Sequence, residues 1–247
     1  METVTDHPWR VSFQQAKATQ MKLAKRIVLE EFTARIVTVC AVDVSYGRFD
    51  HSGYAVLGCF SVAFDSQSAR YDCRIERIYT EISRVDFPYM PGYLSFREIP
   101  ILLPLFRQLP ERPDLLLVDG AGIAHPRGIG LAAHLGVIFN LPAIGCAKSR
   151  LFGEYSEPAN RSGAASALTS NNTIIGAVLR TKNNTKPIFI SPGHRMDVAS
   201  ALAIMQKFRG KYRIPEPLRI VDLVSKSLRK HPELVGESQA FIQNHLK

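Results

Sequence analysis

The clearest structural signal in the chain lies between residues 114 and 148, which read DLLLVDGAGIAHPRGIGLAAHLGVIFNLPAIGCAK. The apolar run at 114–120 predicts a short buried strand, the pattern at 130–140 predicts a helix, and 142–148 predicts a second buried strand. Strands that alternate with helices favour parallel pairing with right-handed crossovers. We therefore expect these residues to form the centre of an α/β domain.

The flanking sequence extends this centre in both directions. Further strands are predicted at 35–46, 54–64, 74–83, 173–180 and 187–193. Helices are predicted at 10–31, 95–109, 197–208 and 217–230, and Pro100 and Pro104 indicate a kink in the second of them. The first three strands follow one another closely, which favours an antiparallel meander, and 154–171 is expected to be a loop. Since we find neither a repeat nor a linker, we expect a single domain over residues 1–247.

Composition excludes several classes of protein. The chain has 247 residues, of which 46% are hydrophobic and 21% are charged, as in an ordinary globular domain. It lacks an apolar run of the ~18 residues that a membrane span needs, and its first residues carry no apolar signal segment. Four cysteines are scattered without a CxxC pair, which argues against a zinc site and a disulfide framework: Cys40, Cys59, Cys73 and Cys146. We expect a cytoplasmic protein that does not bind membranes.

Positive charge is concentrated in one part of the chain. Residues 180–230 contain 12 Lys and Arg against 3 Asp and Glu, an excess of +9 that equals the net charge of the whole chain. A basic face of this kind suits a polyanion, most simply a nucleic acid. The alternative is a basic surface that is merely solvated.

Four acidic residues occupy positions where apolar side chains are expected. Asp43 interrupts the buried strand at 35–46, and Asp119 follows the apolar strand at 115–118, where parallel sheets bind ligands. Glu98 and Asp222 lie on the apolar stripes of the second and last predicted helices. Buried carboxylates repel one another unless a cation joins them, and Mg²⁺ prefers such oxygen ligands. The pattern therefore indicates metal-assisted hydrolysis of a phosphodiester.

Each of these acids also has a structural interpretation. Glu98 follows Ser95 by three residues, the spacing of a helix capping box. Asp222 can pair with Lys226 one helical turn later, on a solvated face. Asp119 could form part of a plain turn, and Asp43 could make a structural hydrogen bond.

Six segments resemble, in order and spacing, the motifs of the endonuclease V family. They are AVDVSY (41–46), PYMPGYLSFREIP (88–100), LLLVDGAGIAHPRGIGLAAHLG (115–136), PAIGCAKSRL (142–151), KPIFISPGHRMD (186–197) and RIPEPLR (213–219). The resemblance implies a ribonuclease H-like α/β fold, with a central mixed sheet flanked by helices. It also implies a DNA repair endonuclease that depends on Mg²⁺, with Mn²⁺ as a substitute. The family recognises deoxyinosine, the product of adenine deamination, and hydrolyses the second phosphodiester 3′ to it, leaving 3′-hydroxyl and 5′-phosphate ends.

The resemblance implies roles for single residues. The metal-binding and catalytic carboxylates of the family match the four acids already singled out, Asp43, Glu98, Asp119 and Asp222. Among catalytic neighbours, Lys148 matches a lysine that contacts the scissile phosphate, and His125 matches a histidine beside the site. Tyr89 matches a wedge that separates the strands, and the pocket for the lesion is matched by Leu94, Gly120, Gly122 and Leu151. Tyr89 could instead pack in a turn, and Lys148 or His125 could make only local hydrogen bonds.

The sequence leaves three functions open. The first is a monomeric deoxyinosine endonuclease acting on DNA, and the second is a ribonuclease of the same chemistry acting on inosine in RNA. The third is a binding module without activity, which the retention of all four acids disfavours. Ala121 and Gly128 depart from the usual residues of the family, so fine contacts near the pocket stay open.

Overall fold

A computed structural model describes residues 1–47 and 51–236, so the predicted domain limit at residue 247 lies outside the described residues. The helices are α1 (Phe13–Ala24), α2 (Leu94–Arg107), α3 (Leu131–Phe139), α4 (Val198–Lys207), α5 (Glu216–Lys230) and a final 3₁₀ turn (Pro232–Leu234). The strands are β1 (Thr38–Tyr46), β2 (Ser52–Asp65), β3 (Arg70–Arg84), β4 (Leu115–Val118), β5 (Ala143–Ala147), β6 (Glu154–Tyr155), β7 (Ala165–Ser170), β8 (Thr173–Leu179) and β9 (Ile188–His194).

All of these strands belong to one mixed sheet with the order β3-β2-β1-β4-β5-β9-β8-β7-β6. The first three form the predicted antiparallel meander. The pairs β1–β4 and β4–β5 are parallel, as the alternation of strands and helices predicts. From β5 onward every pair is antiparallel. The prediction of a central mixed sheet is therefore confirmed.

Helices cover both faces of the sheet. On one face, α4 and α5 pack against β1, β2 and β9, and the inward stripe of α5 repeats at helical spacing as Leu218, Val221 and Val224. On the other face, α2 and α3 pack against the same central strands, and α1 packs on α3. The central strands can be almost wholly apolar because they are covered on both sides.

Two segments differ from the sequence prediction. The helix predicted at 10–31 ends at Ala24, and the chain then runs beside the end of β9: the Val28 amide donates to the His194 imidazole Nδ1, and the Arg195 amide donates to the Val28 carbonyl. The apolar residues after Ala24 thus belong to a non-helical segment. The loop predicted at 154–171 contains β6 and β7, whose polar residues suit strands at the solvated edge of the sheet.

Among residues 1–47 and 51–236, no helix combines the length and the apolar character that crossing a membrane requires.

The pairing of the parallel strands β1, β4 and β5 determines which residues meet at one end of the sheet. Val42 of β1 pairs with Val118 of β4, and Val118 pairs with Gly145 of β5. The polar residues that follow these positions, Asp43, Asp119 and Lys148, therefore gather at the same end of the sheet.

Candidate metal centre and neighbouring pocket

Three of the four predicted acids meet at this edge. Asp43 is part of β1, Asp119 comes directly after β4, and Asp222 lies in the second turn of α5, which packs on β1. One carboxylate oxygen from each lies within 4.8 Å of the other two. We call these three residues the carboxylate cluster. Oxygen donors at this separation suit a hard divalent cation.

Two lysines balance part of the negative charge of the carboxylate cluster. Lys148, which follows β5, hydrogen-bonds to Asp119 and donates to Asp222 Oδ1 over 2.6 Å. Lys226 donates to Asp222 Oδ2, also over 2.6 Å, one helical turn along α5. The helical ion pair between Asp222 and Lys226, predicted as an alternative, is therefore present, but the other carboxylate oxygen of Asp222 accepts from Lys148. Its side chain is 15% exposed and lies between the two ammonium groups.

Burial and repulsion shift the acidities of the carboxylate cluster. Burial raises the pKa of Asp43 to about 6, against a hydrogen bond from the Ser225 hydroxyl and with help from the charges of Asp119 and Asp222. Burial likewise raises the pKa of Asp119. Burial would also raise the pKa of Asp222, but the hydrogen bonds from Lys148 and Lys226 outweigh it and hold that pKa low. Carboxylates that lie together in spite of burial and mutual repulsion are typical of a functional site.

Glu98 lies beside the carboxylate cluster rather than in it. It is buried in the first half of α2, and the Tyr46 hydroxyl donates to its Oε1 over 3.0 Å. Burial, followed by the charge of Asp43, raises its pKa well above the usual range. The capping-box alternative is wrong, because α2 begins after Tyr93 and makes no side-chain cap, while Ser95 lies inside the helix.

Tyr46 and Ser225 are contacts of the site that the sequence did not reveal. Tyr46 is held in turn by the Arg97 guanidinium, 4.2 Å above its ring, and Arg97 also donates to the Phe87 carbonyl over 2.6 Å. Tyr46 ends the same strand that carries Asp43, and Ser225 lies one turn after Asp222. Their positions relative to Asp43 and Asp222 are the sequence signal that could have identified them.

A small apolar cavity of about 90 Å³ adjoins this edge. The residues that line it include four of the predicted site residues, Tyr89, Leu94, His125 and Leu151. Tyr89 is 71% exposed, which is unusual for a large aromatic ring and does not fit turn packing. We call this cavity the apolar pocket. It lies near the carboxylate cluster because Ala121, one of its lining residues, follows Asp119 by two positions.

A backbone carbonyl at the rim of the apolar pocket accepts hydrogen bonds from three side chains. Gly92, with a φ of +81°, presents a carbonyl that accepts from Gln20 (3.0 Å), from Arg127 and from His125 Nε2 (2.9 Å). His125 Nδ1 accepts from the Arg127 amide over 3.1 Å, so both ring nitrogens are engaged. Burial lowers the pKa of His125 to about 4, which keeps the ring neutral. This geometry favours the alternative of local hydrogen bonding for His125 over direct catalysis.

Two predicted pocket residues have a different position. Gly120 and Gly122 are not among the residues that line the apolar pocket, although Ala121 between them is. A Cβ on Gly122 would lie 2.0 Å from the Pro192 carbonyl oxygen, and the Gly122 amide donates to the Ser191 hydroxyl over 2.7 Å. A Cβ on Gly120 would press on Leu131 at 3.3 Å. The glycines thus serve the close approach of this loop to β9 and α3.

The basic segment at 180–230 is partly structural. Arg180 is 8% exposed in its side chain and pairs with Glu157 at 2.6 Å. Arg213 donates to the backbone carbonyls of Lys148, Lys186 and Pro187, so it braces the end of β5. Two of the 12 Lys and Arg of this segment are therefore engaged inside the protein rather than free to meet a polyanion.

Comparisons with known proteins agree with this arrangement. The sequence profile of a family described as endonuclease V matches residues 21–223. An endonuclease V from Kosmotoga olearia is 44% identical over 228 residues, which is 91% of this chain and 96% of that protein. The crystal structure of the endonuclease V from Streptomyces avermitilis is 36% identical with a TM-score of 0.80, covering 91% of this chain and 96% of that one.

One similar structure includes nucleic acid. It is an endonuclease V from Ciona intestinalis in complex with a 23mer DNA containing an inosine followed by a ribo-adenosine. That protein is 25% identical to this chain, with a TM-score of 0.74, and the match covers 90% of this chain and all of that one.

Proposed function

The chain belongs to the endonuclease V family, and from that premise we propose that it is a repair endonuclease for deoxyinosine in DNA. We further propose that it hydrolyses the second phosphodiester 3′ to the lesion and leaves 3′-hydroxyl and 5′-phosphate ends. The convergence of Asp43, Asp119 and Asp222 at one edge, beside a pocket with an exposed aromatic ring, is the observation that carries this proposal.

The carboxylate cluster supports catalysis with a divalent metal ion. Its three carboxylate oxygens lie within 4.8 Å of one another, and we propose that they bind Mg²⁺ together with Glu98, with Mn²⁺ as a substitute. When bound, such an ion lowers the pKa of an attacking water and offsets negative charge on the phosphate. The raised pKa values of Asp43 and Asp119 support this, because an added cation offsets both the desolvation that burial imposes and the repulsion between the carboxylates.

Other residues of the chain bind and orient the reacting groups. The Lys148 ammonium lies between Asp119 and Asp222, and their charges keep its pKa raised in spite of burial, so it remains a cation that can contact the scissile phosphate. Tyr46 holds the Glu98 carboxyl at a fixed place beside the cluster. Through their hydrogen bonds, these contacts position the acids before the substrate arrives.

The apolar pocket supports recognition of the lesion. A base inside a duplex must leave the stack before an enzyme can read it, at a cost of a few kcal/mol that is smaller for a poorly paired base. We propose that the exposed Tyr89 ring stacks in the vacated space while the extruded hypoxanthine enters the pocket beside Leu94 and Leu151. His125 remains neutral and holds the turn of the pocket rather than the substrate.

The remaining parts of the proposal concern organisation. One sheet joins every described strand, which supports a single domain over residues 1–247. The carboxylate cluster, its lysines and the apolar pocket all come from one chain, which supports action as a monomer. Exposed cations on this basic protein support binding to the phosphate backbone.

A matched set of oligonucleotides tests the function. Duplex DNA with one deoxyinosine, the same duplex with deoxyadenosine, and RNA with one inosine are incubated with the enzyme and Mg²⁺. We expect cleavage of the deoxyinosine duplex at one position, and little cleavage of the undamaged duplex. Cleavage of the RNA alone would replace the DNA proposal by the ribonuclease alternative, and equal cleavage of damaged and undamaged duplexes would overturn lesion recognition.

A further inference from the structure

Cys40 and Cys59 face each other across the first two strands of the sheet. Cys40 of β1 lies directly opposite Cys59 of β2, and their sulfur atoms are 3.3 Å apart. The scattered cysteines of the sequence argue against a disulfide framework, yet the fold brings these two together. The pair lies on the α2 side of the sheet, away from the carboxylate cluster, and has no part in the chemistry proposed above.

The register of the two strands decides whether a bond could join these sulfurs. At one end of the β1–β2 ladder the Val37 carbonyl accepts a backbone hydrogen bond, and at the other end the Gly47 amide donates one. Hydrogen-bonded pairs therefore fall at odd-numbered residues of β1, and Cys40 occupies a non-hydrogen-bonded position. Opposed residues there have Cα atoms about 4.5 Å apart, within the range of about 4.4–6.8 Å that disulfides span. The strands need not move for a bond to form.

The surroundings of the pair make one sulfur the nucleophile. Cys59 is half-buried, whereas Cys40 is 3% exposed and packs under α2. A hydrogen bond from the Cys40 thiol lowers the pKa of Cys59, and the charge of Arg77, opposite it on β3, adds to the effect. The same contact raises the pKa of Cys40. A half-buried cysteine whose thiolate form is favoured by a neighbouring thiol and by the charge of Arg77, against the effect of burial, is the arrangement of an oxidisable cysteine.

We propose that Cys40 and Cys59 are a redox-active pair that hydrogen peroxide converts into a disulfide. The Cys59 thiolate attacks one peroxide oxygen, the O–O bond breaks, and the departing hydroxide takes a proton to leave as water. The Cys40 thiol then loses its proton, and its sulfur attacks the Cys59 sulfenic acid. The S–O bond breaks, and hydroxide leaves with that proton as a second water. Two thiols and one peroxide thus give one disulfide and two waters.

The other two cysteines are internal controls. Cys73 is also half-buried, but Val62 lies opposite it, and burial raises its pKa to about 12. Cys146 is fully buried opposite Ile190. Neither has a second sulfur in its strand register, so neither can complete the exchange.

Peptide mass spectrometry after peroxide treatment tests the pair. The reduced, folded full chain is treated with hydrogen peroxide, its free thiols are alkylated, and the digest is searched for linked peptides. We expect a disulfide between the peptides of Cys40 and Cys59, with Cys73 and Cys146 alkylated. Oxidation should raise the thermal midpoint on the order of 5–10 °C, since the bond closes a loop of the unfolded chain. A thiol reductant should reverse that rise.

Single variants complete the test. Cys40→Ser should leave a sulfenic acid on Cys59 that a dimedone probe labels, with no linked peptide. Cys59→Ser should prevent both products, and Cys73→Ser should behave as wild type. The proposal is overturned if Cys40 and Cys59 are alkylated as completely as Cys73 after peroxide, or if Cys73→Ser removes the linked peptide. Circular dichroism of each variant confirms that the fold is intact.

Discussion

The carboxylate cluster and the apolar pocket are neighbours, yet they are built on opposite principles. The cluster gathers negative charges of Asp43, Asp119 and Asp222 in a largely buried place and balances them with lysine. The pocket contains aliphatic side chains and a histidine whose pKa of about 4 keeps it uncharged. The loop after β4 contributes residues to both regions, and helix α2 lines the pocket and carries Glu98 beside the cluster.

The difference indicates that the carboxylate cluster determines turnover and the apolar pocket determines the preference for the lesion. The mutual repulsion of the carboxylates in the cluster is useful only if a bound cation relieves it, so changes of charge there should alter turnover. The apolar pocket has no charge to offer and selects by shape and stacking, so changes there should alter the preference for the lesion. Four experiments can sharpen or break this separation.

The largest effect is expected from Asp119→Asn. Removing the carboxylate should lower cleavage of a deoxyinosine duplex more than about a thousandfold, because a metal ion contributes several kcal/mol to transition-state stabilisation. Single-turnover cleavage is the measurement. The ratio of binding constants for damaged and undamaged duplexes should stay within about twofold of wild type, since the apolar pocket is untouched.

Asp114→Asn is the matched control, because Asp114 lies at the opposite end of β4. Its carboxylate accepts from the amides of Val37 and Thr38 over 2.9 and 2.8 Å and is far from the cluster in the strand. We expect it to lower stability while leaving turnover close to wild type. Equal losses of cleavage in both variants would mean that Asp119 is structural.

A smaller loss is expected from Lys148→Gln. Charge-assisted hydrogen bonds contribute about 1.5–3 kcal/mol, so cleavage should fall about tenfold to a hundredfold. Lys226→Gln is the control, because Lys226 bonds to the same Asp222 but lies on an exposed helical turn where such pairs contribute about 0.3–0.5 kcal/mol. Similar losses in the two variants would show that Lys148 acts only by holding Asp222.

Tyr89→Ala should affect selection in the same range. Stacking of a base on an aromatic ring is worth about 1–3 kcal/mol, so the preference for a deoxyinosine duplex over an undamaged one should fall about tenfold to a hundredfold. Tyr89→Phe keeps the ring and should be nearly silent. An unchanged binding ratio in Tyr89→Ala would exclude the wedge and leave the tyrosine as part of a turn.

The smallest effect is a difference in pH dependence. Because the folded pKa of Asp43 is about 6, a cation must displace a proton at lower pH, and cleavage should fall about tenfold per pH unit below that value. The pKa of His125 is about 4, so the pocket keeps its charge state between pH 5 and 8 and the binding ratio should stay constant. A binding ratio that follows the cleavage profile would contradict the separation of the two regions.

The acids that the fold brings together could be singled out in the sequence because each breaks an apolar pattern. Asp43 and Asp119 interrupt buried strands, and the parallel pairing of those strands places them at one edge. The sequence could not give the distance of Glu98 from the other three acids, because helical spacing says which face a residue occupies but not how far its side chain reaches. It also missed Tyr46, whose role depends on an α2 residue 52 positions away.

The errors in the fold have similar causes. Periodicity continues past Ala24 because Ile27 packs on the core from an extended segment, so the pattern could not show where α1 ends. Strand β7 escapes detection because it lies next to the two-residue edge strand β6, in a part of the sheet that lacks an apolar stripe. Counting charges overstated the basic face, since a count cannot show that Arg180 and Arg213 are occupied by internal hydrogen bonds.

Binding of Mn²⁺ in the absence of nucleic acid tests most directly whether the carboxylate cluster exists to hold a divalent cation. The signal of free Mn²⁺ in electron paramagnetic resonance is followed during titration of wild type, Asp119→Asn and Asp114→Asn. We expect saturable binding that Mg²⁺ displaces in wild type and Asp114→Asn, and binding at least about tenfold weaker in Asp119→Asn. Equal binding by Asp119→Asn and wild type would contradict the account.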